Sequence, residues 1–210
     1  MKTNSTRNCL FLLALAPVLL LAGCLSRPAL VHQDFALQTP ALTNTASAGH
    51  AVLAVRPVEV SPLFAGQALV YRTGPNTYET DPYAGFLVAP GEALGIPIRA
   101  YLANSGMFAS VVQPGGLQTA DQVLQANVTE LYGDFRQPGR PAAVMSLRMV
   151  LAGAGGNVIL QKDYSCSVPL KVNTAAAVVA GYDQALGEIM EQVAADVAAM
   201  RTPAGASSAP

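Results

Sequence analysis

The sequence predicts an α+β fold: a single domain with a mainly antiparallel sheet and two helices packed on one face of it. Three observations lead there. Residues 142–170 hold two stretches of alternating apolar and polar residues joined by Gly153 to Asn157, the pattern of a long antiparallel hairpin. Thr174 to Met200 places Val179, Leu186, Met190, Val193, Val197 and Met200 at spacings of three, four and seven, an amphipathic helix whose other face carries Gln184, Glu188, Glu191 and Asp196. The 210 residues are 51% apolar and 12% charged, too apolar and too weakly charged for a disordered chain. Twelve Lys and Arg against thirteen Asp and Glu leave no basic excess for nucleic acid.

The chain opens with a secretory signal over residues 1–23. Lys2 and Arg7 precede the apolar run Leu10 to Leu21, which is too short to cross a bilayer needing about 20 residues. The signal ends in Leu21-Ala22-Gly23-Cys24, which looks like a bacterial lipobox and predicts that Cys24 is acylated after cleavage. Leu25, rather than Asp, follows the cysteine and favours the outer membrane. Removing the signal takes away two basic residues and no acid, so the mature chain has ten basic and thirteen acidic residues, a net charge of −3. Residues 24–50 are expected to be an acylated tether and linker with one short strand, Asp34 to Leu37. The domain proper is set at 51–201, and 202–210 is a small-residue tail expected to be disordered.

Within the domain, Ala51 to Val60 reads as a buried strand. Gln67 to Thr73 and Thr77 to Thr80 form a hairpin around Gly74-Pro75-Asn76, and Asp81-Pro82 reads as turn. Leu87 to Asn104 carries Leu94, Ile98 and Leu102 on one helical face, with Pro97 predicting a start or kink nearby. Met107 to Gln113 and Val123 to Phe135 read as strands, the second interrupted near Gly133. Pro114-Gly115-Gly116 forms the turn between them.

The chemical inventory predicts no catalytic site, no metal site and no cofactor. His32 and His50 lack partners at ligand spacing. Gly153-Ala154-Gly155-Gly156 is a hairpin turn, since Val158 stands where a dinucleotide loop needs its third glycine. Glu79 and Asp81 lie close in sequence, but no aromatic cleft accompanies them. Asn127-Val128-Thr129 matches a glycosylation sequon, incidental behind a lipobox. Of three cysteines, Cys9 leaves with the signal and Cys24 is committed to acylation. Cys166 is left without an intramolecular partner, in phase with Val158, Leu160, Tyr164 and Val168, and reads as a buried small hydrophobe.

Four segments then fall in order: Val55-Arg56-Pro57-Val58-Glu59-Val60, Leu69-Val70-Tyr71-Arg72, Asp81-Pro82-Tyr83-Ala84-Gly85-Phe86, and Tyr101-Leu102-Ala103-Asn104-Ser105-Gly106-Met107-Phe108. Behind a lipobox, this succession resembles the ABC-type transport auxiliary lipoprotein family (PqiC-like), over roughly Asp34 to Met200. Phe86 stands where that family usually has Trp, so any hydrogen bond from an indole is lost. The resemblance implies a non-enzymatic partner of an ABC permease, its ATPase and an MCE-domain periplasmic protein, in a system moving lipids or other hydrophobic molecules between membranes. Two roles remain open. One is an adaptor that docks the MCE component, as a ring or other homo-oligomer. The other is a module holding phospholipid acyl chains between the sheet and the C-terminal helix.

Overall fold

The computed structural model describes residues 31–42, 49–115 and 118–201. The signal, Cys24, the Leu25 to Leu30 tether, most of the linker, Gly116 and the 202–210 tail lie outside the described residues. One compact unit begins at His32.

Nine strands form one mixed sheet: β1 (Gln33–Phe35), β2 (Val52–Val55), β3 (Glu59–Val60), β4 (Ala68–Arg72), β5 (Tyr78–Phe86), β6 (Ser110–Val112), β7 (Gln122–Asp134), β8 (Ala142–Gly153) and β9 (Val158–Pro169). Two helices, α1 (Pro90–Asn104) and α2 (Ala175–Arg201), pack on it. The longest ladders are antiparallel, β7 with β8 and β8 with β9. β7 is the common edge. β8 takes one side of it along its length, and β2, β3 and β4 share the other side in parallel at Gln122–Leu124, Asn127–Val128 and Gly133–Asp134. β6 extends the sheet from β2, and β5 then β1 extend it from β4.

A bulge between Val128 and Glu130 sets which residues face the helices. Before it Leu124, Ala126 and Val128 are buried, and after it Leu131 and Gly133 take that face. The inserted residue, Thr129, reverses the phase, so Glu130 and Tyr132 reach the open face. There Ser146 Oγ lies 2.7 Å from Glu130 Oε2, and Tyr132 packs with Phe64 and Tyr78 at centroid distances of 5.9 and 5.8 Å. The interruption expected near Gly133 is therefore at Thr129.

Several other expectations are corrected. The stretch Ala51 to Val60 is two strands, because Pro57 cannot donate to a ladder and the chain steps along β7 between Leu124 and Asn127. β5 runs straight through Pro82, which falls where neither β4 nor β1 pairs with it. The short strand near Asp34 is not an isolated piece of linker: β1 pairs in parallel with β5, and Leu37 and Leu42 pack against the core. The sheet thus begins about twenty residues before the boundary placed at Ala51. α1 starts at Pro90 rather than Leu87, with Pro90 in the first turn where its missing N–H costs nothing, and it continues through the buried Pro97.

Both helices lie over the same face, since Leu102 of α1 and Val193 and Val197 of α2 meet Leu53, Leu124 and Met149 of the sheet. Along α2, Val179, Leu186, Met190, Val193 and Val197 are buried as their spacing predicts, joined by Val178, Tyr182 and Ile189, whereas Met200 is exposed. Gly181 brings α2 onto β8: a Cβ there would sit 2.5 Å from the Ala143 Cβ.

Gly181→Ala is expected to destabilise the domain by about 1–3 kcal/mol through overpacking. Gly187→Ala, in the same helix but 3.7 Å from the nearest side-chain atom, should be neutral or stabilising by up to about 1 kcal/mol. Urea unfolding of the two variants checks the contrast.

Candidate functional site

A groove lies beside the first half of α1, and its shape follows from two glycines. Gly91 lets the helix start against the strand connection: a Cβ there would meet the Val58 carbonyl oxygen at 2.5 Å. Four residues on, Gly95 leaves room for the Arg99 side chain, whose Nη1 lies 3.1 Å from where a Cβ would be. The groove encloses about 540 Å³, lined by Val55, Pro57, Val58, Ala89, Arg99 and Pro114 among others. That volume falls within the range of small-ligand sites. Arg99 is half-buried and makes no ion pair or hydrogen bond among the described residues. Glu92 and Gln113 stand at the same groove. An apolar wall with one unpaired guanidinium suits a short apolar segment ending in an acceptor.

The sheet and the second half of α2 pack closely, whereas a space of about 210 Å³ opens at the start of that helix beside Tyr71, Asp81 and Phe135. The space left in the closely packed part, lined by Leu53, Leu102, Phe108, Leu124, Met149 and Val193 among others, is about 10 Å³. That is no more than one water molecule occupies. An acyl chain has no room where Val193 and Val197 of α2 meet Leu53, Leu124 and Met149 of the sheet.

Polar contacts also tie α2 to β9. Tyr164 O–H donates to Asp196 Oδ2 at 2.8 Å, and Lys162 Nζ reaches the same oxygen at 2.7 Å. Lys162 and Tyr164 together hold the Asp196 carboxyl below the usual range. Cys166 is buried, and its thiol donates to Glu188 Oε2 at 3.0 Å. Burial, reinforced by that carboxylate, pushes the thiol up to about 12, so it stays protonated.

The other residues singled out from the sequence are dispersed. Asp81 accepts from Tyr71 O–H at 2.6 Å and from the Tyr83 backbone at 2.8 Å, while Glu79 accepts from Thr73 at 3.0 Å. Each carboxylate thus has its own partners. Burial, followed by the bond to Asp81, raises the Tyr71 phenol well above its ordinary value. His32 Nε2 lies 3.2 Å from Asp34, and His50 is exposed. The Gly153 to Asn157 stretch is a hairpin turn, closed by Gly153 N–H to the Asn157 carbonyl at 2.9 Å. Thr129 of the sequon donates to the Ser146 carbonyl at 3.3 Å. No group of three or more His, Cys, Asp or Glu side chains at metal-holding distance occurs among the described residues. Cys24, the one site residue expected from the sequence, lies outside them.

The segments that carried the family resemblance are structural. Arg72 stands over the Tyr78 and Tyr132 rings at 5.5 and 5.7 Å and donates to the Pro75 carbonyl at 2.7 Å. Phe86 stacks on Tyr182 at 6.2 Å, and the fully buried Tyr182 hydroxyl has no partner among the described residues. Sequence reading missed the groove. The signal for it was Gly91, Gly95 and Arg99 in register on successive turns of α1, opposite Pro57-Val58.

The mixed sheet with both helices on one face is a known α+β architecture. It is shared with the crystal structure of protein XCC0632 from Xanthomonas campestris, at 18% identity and a TM-score of 0.68, covering 81% of this chain and 95% of that one. A second structure, of an uncharacterized protein, matches at 18% identity and a TM-score of 0.63, covering 80% and 99%. No curated protein matches the chain. The model of the ABC-type transport auxiliary lipoprotein component matches residues 35–194, and the chain belongs to that family.

Two outcomes follow. Tyr182→Phe, which removes a buried unpaired hydroxyl, is expected to raise stability by about 1 kcal/mol, read from the urea midpoint. In a chain starting at Leu25, where Cys166 is the only thiol, iodoacetamide at pH 9 should leave the folded protein unlabelled and label it fully in urea; equal labelling in both states contradicts the raised thiol.

Proposed function

We propose that the chain is the membrane-anchored, non-catalytic docking component of an ABC/MCE-type system that moves lipids or other hydrophobic molecules across the bacterial envelope. Cys24 carries the acyl chains on the periplasmic face of the outer membrane. The domain engages an MCE-domain protein whose permease and ATPase reside in the inner membrane. Family membership over residues 35–194 supports a transport auxiliary role. The observation that favours docking over carriage is the close packing of the second half of α2 on the sheet, where the space left is about 10 Å³ against the several hundred of a ligand pocket. The roomier groove beside α1 suits a partner's side chains, with Arg99 as its polar contact. Tethering at the membrane raises the local concentration of such a partner without high intrinsic affinity.

Two measurements test this. The chain starting at Leu25 should carry no stoichiometric phospholipid on extraction, and should co-purify with the MCE component; bound phospholipid at one per chain would sink the adaptor reading. Cys24→Ser should leave the signal uncleaved and the chain unlabelled by palmitate. Normal processing and labelling of that variant would remove the anchor.

A further inference from the structure

Two loops meet at the end of the sheet where β7 and β9 finish. The Leu170 N–H donates to the Pro141 carbonyl at 2.8 Å, which brings Arg140 of the β7–β8 loop beside Lys171 of the β9–α2 loop. Both side chains are exposed, and neither has an ion pair or hydrogen bond among the described residues. Val172 follows directly, 56% exposed. Of the acids at this end, one is paired with a cation and two accept from uncharged donors. Asp134 is held by Arg136 at 2.6 Å, Glu79 by Thr73, and Asp81 by Tyr71 and Tyr83. The end presents two cations with no carboxylate partner among the described residues, and a bare apolar side chain.

The path of the chain points to the same end. β4 meets β7 at Gly133 and Asp134, so the start of β5, Tyr78 opposite Arg72, lies at this end of the sheet. β1 runs parallel to β5 with Gln33 opposite Ala84, so the start of β1 faces the Tyr78 end. From the level of His32, beside Tyr83, to Tyr78 is five residues of strand, about 16 Å. Seven residues separate Cys24 from His32, and the eight steps between them span at most about 29 Å. On the acylation proposed above, these are the residues between the anchor and the sheet.

We propose that this loop end lies on an anionic phospholipid surface, with Arg140 and Lys171 among the phosphates and Val172 entering the headgroup layer. The placement rests on the acylation of Cys24 proposed above and adds a second membrane contact to it. Cations next to an anionic bilayer are attracted, and a neighbouring apolar side chain adds burial. The rival apolar end is the β8–β9 hairpin, where Val158 is 57% exposed and Ile159 stands beside it. Its nearest cations are committed, Arg148 to Asp163 at 2.7 Å and Lys162 to Asp196 at 2.7 Å.

The chain contains no Trp, so a single introduced indole reports without background. The acylated full chain carrying Val172→Trp, or Ile159→Trp as the comparison, is reconstituted on vesicles of phosphatidylglycerol and phosphatidylcholine with part of the latter brominated. Quenching at position 172 and little at 159 is expected. Adding Arg140→Glu and Lys171→Glu should bring the signal at 172 down toward that at 159 while the chain still floats with the vesicles. Equal quenching at both positions, quenching at 159 alone, or none at 172 on floating, acylated chains would overturn the placement and leave the anchor standing. Absence of the acyl mass in the intact protein would overturn the anchor and the placement with it.

Discussion

The fold depends on β7 serving two sets of neighbours at once. One edge of this strand is occupied by β8 over twelve paired positions, whereas the other is divided among β2, β3 and β4, with two or three positions each. Strands that short contribute too few ladder bonds to fix their own register. They hold place because β7 is already straightened and registered by the β8–β9 hairpin. The bulge at Thr129 then turns the second half of β7 over, so that Leu131 stays under the helices while Tyr132 joins Phe64, Tyr78 and Arg72 on the open face. Without that phase change one half of the strand would present its polar residues to the core.

Over this frame the long helix is drawn down by small residues and pinned by polar ones. Gly181 removes the side chain that would strike Ala143, and Asp196 and Glu188 accept hydrogen bonds from Tyr164, Lys162 and Cys166 of β9. The carboxylates sit at the edge of the contact rather than inside it, so the apolar interior stays continuous and dry. Close packing of this kind resists opening, because a helix lifted far enough to admit a lipid tail would leave its dispersion contacts unmade along its whole length. Space for a ligand survives where backbone approaches backbone without side chains to fill the gap, as at the Gly91 and Gly95 turns of α1.

What the sequence disclosed divides along the same line. The β8–β9 hairpin and α2 are long, local and half-exposed, so their periodicities of two and 3.6 are written plainly in the residues. The parallel strands are short and buried through partners distant in sequence. Ala51 to Val60 consequently read as one apolar run, although Pro57 parts it into two strands. At Pro82 the local rule gave a turn, but β5 has no partner at that position and the missing N–H is not needed. The strand near Asp34 was visible, yet its partner β5 was itself cut short in the reading, so its membership in the sheet was not. The groove was illegible for another reason: glycines spaced along a helix signal close approach, but not to what. Only the meeting of α1 with Pro57-Val58 turns them into a wall.

The inclusion of β1 in the sheet bears most directly on how an anchored domain works. Were residues 24–50 all flexible, the domain would sample a volume several tens of ångströms across, and its orientation at the membrane would be nearly free. With β1 paired to β5 and Gln38 N–H bound to Asp183 of α2 at 2.8 Å, the pull of the anchor proposed above would enter the sheet at His32. A short leash of that kind would restrict the faces that meet the bilayer, and by the same restriction those that point away from it. The β8–β9 hairpin tip lies at the opposite end of these strands from the Arg140 and Lys171 loops. A partner reaching across the periplasm would then meet a surface already oriented toward it, so less orientational freedom is lost on docking.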